Sequence, residues 1–281
     1  VEVLIMKRAI VTIAFLLAAC GENRTIPEKD AYVPAQVAPL ECVPNLDGRI
    51  DVTELKAALG LPVRYLASPP GISRPVSIPG ATNAAGQRVW DLSNDYADDR
   101  VATLEATAVT GWWFANSFPA GQFVSALDLG GAVMGVYAND GSNLLLLGYA
   151  SREENPAIGK TLVVYGAPVA IYRFPLEPGK NWVSVGTVSN GVVRGLPFAG
   201  RDTYQVKVDA AGQLELPDVT FTQALRVRTT ATIEPAVGNT IVRRQVGWVF
   251  ECFGEVARAT AADGEPNDDF TTTSELRRLG L

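Results

Sequence analysis

Between residues 88 and 260 the chain is punctuated by Asn-Gly, Asp-Gly and related turn signals, with apolar and polar residues alternating on either side. Residues that accept positive φ, flanked by period-two segments, mark antiparallel hairpins. Residues 132–138 and 144–150 flank Asn139-Asp140-Gly141, and residues 182–188 and 192–196 flank Ser189-Asn190-Gly191. Residues 204–208 and 213–216 flank Asp209-Ala210-Ala211-Gly212, and residues 224–233 and 240–250 flank Val237-Gly238-Asn239. Shorter strands are expected at 88–93, 101–109, 161–164 and 169–174. Consecutive hairpins make an antiparallel meander, so the expected fold is mainly β, a curved sheet or half-barrel. Helix signals are confined to the ends. Residues 53–59 stop at Gly60 and Pro62, and Thr272 with Glu275 forms a capping-box pattern before residues 276–279.

The N-terminal region carries a different signal. Lys7 and Arg8 precede a short apolar run over residues 9–17, too short for the roughly 20 residues that span a bilayer. Leu17-Ala18-Ala19-Cys20 follows and resembles the lipobox of bacterial lipoproteins. The resemblance implies cleavage before Cys20 and a diacylglyceryl thioether on its sulfur, with residues 1–19 removed as signal peptide. Residues 1–5 precede Met6 and include Glu2, which fits a misassigned start. Gly21 rather than Asp follows the cysteine, and by the enteric sorting pattern that implies the outer membrane. Residues 21–40 are polar and contain Pro27, Pro34 and Pro39, as expected of a tether. If flexible, about 20 residues reach roughly 25 Å. A single β-rich domain is expected over residues 41–281.

With Cys20 lipidated, Cys42 and Cys252 remain. Two thiols in an exported, oxidising compartment suggest a disulfide, the alternative being two buried free thiols. No CxxC pair supports a redox function.

Composition excludes several activities. The chain has no histidine, which removes Ser-His-Asp and Cys-His catalysis and His-bearing zinc sites. Its formal charge of −6 argues against nucleic-acid binding. Asp91, Asp95, Asp98, Asp99, Glu153 and Glu154 supply carboxylates, but solvated surface charge accounts for them better than a hydrolytic pair.

Residues 45–54 resemble the latter part of an EF-hand loop, with Asn45, Asp47, Asp51 and Glu54 in ligand places and Gly48 at the turn. Val43 stands where the first ligand belongs, so a turn feeding a capped helix is the stronger reading and calcium the weaker. Glu265-Pro266-Asn267-Asp268 is similar to the entry motif of β-sandwich domains attached to secreted peptidases. Too little chain follows for such a domain, leaving an acidic loop that caps the C-terminal helix. Trp112, Trp113, Trp182 and Trp248 are the candidates for lining an apolar cavity, core packing being the alternative.

Phe174-Pro175-Leu176, Gly179 and Trp182, followed by the late aromatic strand at 248–256, look like bacterial β-rich lipoproteins. The half-barrel of the lipoprotein-localisation carriers, a curved sheet around a helix, is the nearest architecture. These features together lead to a non-enzymatic membrane-anchored lipoprotein that binds an apolar ligand or an envelope component. A lipoprotein that docks a protein partner is the alternative, and a carboxylate hydrolase comes third.

Overall fold

A computed structural model describes residues 42–280. Residues 1–41, where a signal peptide, a lipidated Cys20 and a tether are expected, lie outside the described residues. The first strands are β1 (Pro62–Ala67), β2 (Arg74–Pro75), β3 (Ala81–Thr82), β4 (Arg88–Asp91), β5 (Arg100–Glu105) and β6 (Thr107–Ala108). Then come β7 (Phe123–Ala126), β8 (Val133–Asn139), β9 (Asn143–Ser151), β10 (Leu162–Arg173) and β11 (Asn181–Val193). The longest, β12 (Leu196–Glu215) and β13 (Thr220–Pro235), precede β14 (Ile241–Phe250), β15 (Gly254–Thr260), β16 (Thr272–Thr273) and β17 (Glu275–Leu279).

From β6 to β15 the strands follow one another as an antiparallel meander, and β15 then pairs with β17, β17 with β1, and β1 with β5. The two edges of this path, β5 and β6, are consecutive in the chain with only Ala106 between them. The sheet therefore curls until it is nearly closed into a barrel, further than the half-barrel expected. Closure depends on β17, which pairs with β1 at Tyr65↔Leu279 and with β15 at Arg258↔Arg277.

That pairing overturns the C-terminal helix. Thr272 to Glu275 has the capping-box pattern, but residues 275–279 fill the place between β1 and β15, where each face of the strand is used. Leu276 and Arg278 are buried on one face and Arg277 on the other. The other expected helix, over 53–59, shrinks to a single 3-10 turn at Val52–Glu54. Its continuation is tied elsewhere: the Glu54 carbonyl accepts the Cys252 N–H, and the Gly60 N–H donates to Ala106. Tertiary pairing overrides helix propensity in both places. Among the described residues there is also no helix at the centre of the sheet, unlike the half-barrel carriers.

Two expected hairpins are single strands. The chain runs through Ser189-Asn190-Gly191 as β11, with a register shift between Val188 and Gly191, and turns only at Arg194-Gly195. Both turn residues have positive φ, 51° and 78°, the two-residue geometry that matches strand twist. At Asp209-Ala210-Ala211-Gly212 the chain continues as β12 through two register shifts. Gly212 is there for close approach, since a Cβ would lie 2.5 Å from the Arg88 carbonyl oxygen. It lets β4 pair in parallel with β12 at Gln213↔Val89. The hairpins at Asn139–Gly141 and Val237–Asn239 form as expected, and the two short strands expected at 161–164 and 169–174 are one irregular strand, β10 (Leu162–Arg173).

Apolar side chains pack on both sides of the sheet. On the outer face of β12–β17, Trp90, Leu214, Phe221, Trp248 and Phe250 join Val76, Ile78 and Phe270 from the covering loops. On the outer face of β7–β9, Phe114 and Phe118 cover Val124, Met134 and Val136. Inside, Leu176, Trp182, Val206, Val208, Leu225 and Val227 fill one side of the barrel, together with Ile50.

Candidate functional site

The N-terminal segment, residues 42–61, runs across one end of the barrel as a strap. Cys42 is bonded to Cys252 in the turn between β14 and β15, with Cα atoms 5.6 Å apart. Asn45 and Leu46 donate their N–H groups to one Glu251 carboxylate oxygen, at 2.7 and 2.8 Å. Ile50 exchanges both backbone hydrogen bonds with Leu176, at 2.8 Å each. Leu59 then bridges to Ala106, between β5 and β6. The strap thus touches the turns after β10 and β14 and the junction of β5 with β6.

Below it lies a cavity of about 1020 Å³, at the upper end of the range for small-molecule sites. Its walls alternate with period two: Val63 and Tyr65 from β1, Phe123 and Ser125 from β7, Tyr137 and Asn139 from β8. That periodicity identifies the inner face of the barrel. Leu104, Leu144, Ile171 and Tyr172 add to the lining, and Arg258, Arg277, Glu54 and Lys56 bring the charges. Leu55, Leu59, Leu61 and Phe253 line it from the strap and the β14–β15 turn. Leu59, Leu61 and Phe253 are more than half exposed, so the rim is apolar.

The charged wall is built from β15 and β17. Glu255 Oε2 accepts from Arg258 Nε and Nη2 at 3.0 and 2.7 Å, and Oε1 accepts from Arg277 Nε and Nη2 at 3.2 and 2.6 Å. Burial pushes the Glu255 carboxyl up, but the two guanidiniums pull it further down, so it stays below its usual range. Burial lowers Arg258 and Glu255 more than compensates, leaving it raised. Tyr65 donates its hydroxyl to the Glu255 carbonyl at 2.7 Å. Burial pushes Tyr65 and Tyr137 up to about 12, so both are neutral hydroxyls at ordinary pH. Phe123 stacks on Tyr137 with ring centres 5.3 Å apart, which fixes the ring against the wall.

None of these wall residues was legible as a site. Glu255 and Arg258 are three positions apart, and simple alternation puts them on opposite faces. A register shift between Trp248 and Val249 makes Val256 the extra residue of a bulge and brings both side chains to one face. Arg277 was hidden because its segment reads as a helix.

The four tryptophans do not converge. Trp112 and Trp113 pack with Phe114 on the outer face of β7–β9. Trp248 is fully buried in the other outer cluster, edge-on to Trp90 at 6.1 Å. Trp182 points inward and donates to the Ala170 carbonyl at 2.9 Å, among the packed side chains that fill the barrel.

Asn45, Asp47, Asp51 and Glu54 do come together, as a hydrogen-bonded turn within the strap. Asn45 Oδ1 accepts from the Asp47 N–H and Asn45 Nδ2 donates to Glu54 Oε1. Glu54 Oε2 accepts from the Asp51 N–H at 2.8 Å, and Asp51 pairs with Arg49. Among the described residues no group of three or more acidic or cysteine side chains is arranged to hold a metal ion. Of the other carboxylates, Asp98 and Asp99 are bound to Arg74, and Asp99 also to Arg278. The acidic loop after Gly264 caps no helix: Asp268 and Asp269 pair with Arg244 and Arg228 on the outer sheet face, and Phe270 is buried beside them.

No protein-family model, curated protein or solved structure matches this chain. No described helix is long and apolar enough to cross a membrane.

Proposed function

We propose that this chain is a non-enzymatic lipoprotein of the bacterial envelope, held by lipid on Cys20 in the outer membrane, whose barrel carries an apolar ligand. The observation that carries the reading is the cavity of about 1020 Å³ with its apolar rim. A concave pocket of this size with apolar walls and a few polar groups is what a small-molecule site requires. The leader and the lipobox support the anchor. Purification of residues 21–281 from a bacterial periplasm without detergent, followed by organic extraction and mass spectrometry, tests the ligand. A co-purifying lipid is expected, and a chain that yields no extractable molecule would contradict the carrier. Metabolic labelling with a palmitate analogue tests the anchor, with loss of label expected in Cys20→Ala.

A second reading, docking of a protein partner, is favoured by Val183 and Val185. They are exposed two residues apart on the outer face of β11, where one apolar surface could meet another. Binding of an envelope protein that Val183→Lys abolishes, in a chain without extractable lipid, would select it.

A further inference from the structure

The cavity wall carries unequal charge at one place. Arg258 and Arg277 both line it, and one carboxylate, Glu255, is bonded to both. Those bonds occupy the Nε–Nη2 edge of each guanidinium. Arg277 is only 5% exposed, and its Nη1 is buried without a hydrogen-bond partner. Arg258 is the accessible member, with 23% of its side chain exposed.

Two other carboxylates, Glu54 and Glu275, lie nearby, but the carboxylate bonded to the guanidiniums is that of Glu255. Glu54 has one oxygen on the Asn45 amide and the other on the Asp51 N–H. Glu275 precedes Arg277 by two residues on β17, and burial shifts its carboxyl up while the two arginines pull it down. Tyr65 and Tyr137, both on this wall, are neutral. A partly buried pair of arginines that share one bonded carboxylate, with Arg277 Nη1 left without a partner, favours a further anion, because charge-assisted bonds are strong where water is scarce. Phe123, Leu144 and Ile171 give the lining an apolar stretch, beside the polar Ser125 and Asn139.

We infer that the barrel takes an amphiphile with an anionic head, a carboxylate or a phosphate, seated against Arg258 with Arg277 behind it and its tail along Phe123, Leu144 and Ile171. The inference rests on the carrier reading above and assigns its head-group site.

The test is native mass spectrometry of the full chain, released from detergent micelles after incubation with equal amounts of palmitate, hexadecyl phosphate and hexadecanol. The three probes share one tail and differ in the head. At least one anionic adduct is expected to exceed the hexadecanol adduct by about ten-fold or more, and the stronger of the two identifies the head. Arg258→Met should erase that preference while Arg258→Lys retains part of it. Equal retention of all three probes by the unaltered chain would overturn the head-group site and leave the carrier standing. No adduct with any probe would overturn both. A folded Arg258→Met chain that keeps the preference would also overturn the site. The probe comparison on the unaltered chain decides the matter even if that variant fails to fold.

Discussion

Arg258 and Arg277 stand directly opposite each other on neighbouring strands, bridged by the single carboxylate of Glu255. Like charges facing across a ladder repel, so this wall of the barrel depends on its bridge. The same three residues close the sheet where the C-terminal strand meets β15, and they supply the charge of the cavity. Structure and proposed binding therefore share one element.

The bridge predicts how stability depends on pH. The Glu255 carboxyl is held below its usual range by its arginines, and so is that of Asp209 between Arg226 and Arg228. A depressed folded pKa means that the unfolded chain binds protons first on acidification. These groups therefore stabilise the fold above the ordinary carboxylate range, and that contribution disappears as pH falls through it, below about 4. Urea midpoints measured from about pH 6 down to about pH 3 should fall steeply at the acid end, and the fall should be shallower in Glu255→Gln. A midpoint indifferent to acid would contradict the assignment.

The Cys42–Cys252 bond closes a loop of 210 residues and fastens the strap. The chain-entropy account gives a loop of this size about 5 kcal/mol. Replacing both cysteines by alanine should lower the melting temperature by roughly 10 °C or more. Hydrogen exchange should rise first over residues 42–54, where the backbone bonds to Cys252 and Glu251 lie.

Gly212→Ala should destabilise the fold by about 1–3 kcal/mol, because the new methyl group meets backbone at 2.5 Å and the backbone cannot swing aside. The damage should appear in protection of residues 88–91, the partner strand β4. Ala211→Gly, one residue earlier on an exposed position, should cost far less.

How much of this was legible in the sequence follows from range. Hairpins whose turns are local, such as Asn139–Gly141, can be read because φ preference and register are set by adjacent residues. Asn190-Gly191 misleads because a bulge uses the same residues as a turn, and the actual reversal three residues beyond Gly191 places Arg194, an uncommon residue for positive φ, at its first position. The end strand β17 looks helical in isolation, and its pairing partners are 15 residues away at the closest point of β15, Thr260↔Glu275, and more than 200 away in β1. The same long-range closure creates the cavity, so Tyr65, Tyr137, Arg258 and Arg277 could not be grouped from spacing. Cys42 and Cys252 could be, because cysteine number and compartment restrict their pairing more than distance does.

Trp248→Ala should cost about 3–5 kcal/mol, since the ring is fully buried in the outer cluster, while leaving any ligand in place. Ile171→Trp should do the reverse. Ile171 lines the cavity, so a larger ring enters open space and the melting temperature should change little. That pair of variants separates the packed tryptophans from the cavity in one experiment, read by differential scanning calorimetry and by extracted lipid.

The most direct measurement is the native mass of residues 21–281 prepared without detergent, for the unaltered chain beside Ile171→Trp. An added mass that organic extraction removes, present in the unaltered chain and lost in the folded variant, is the predicted result. A clean polypeptide mass for the unaltered chain, or an adduct that the filled cavity retains, would contradict a barrel that carries its ligand inside.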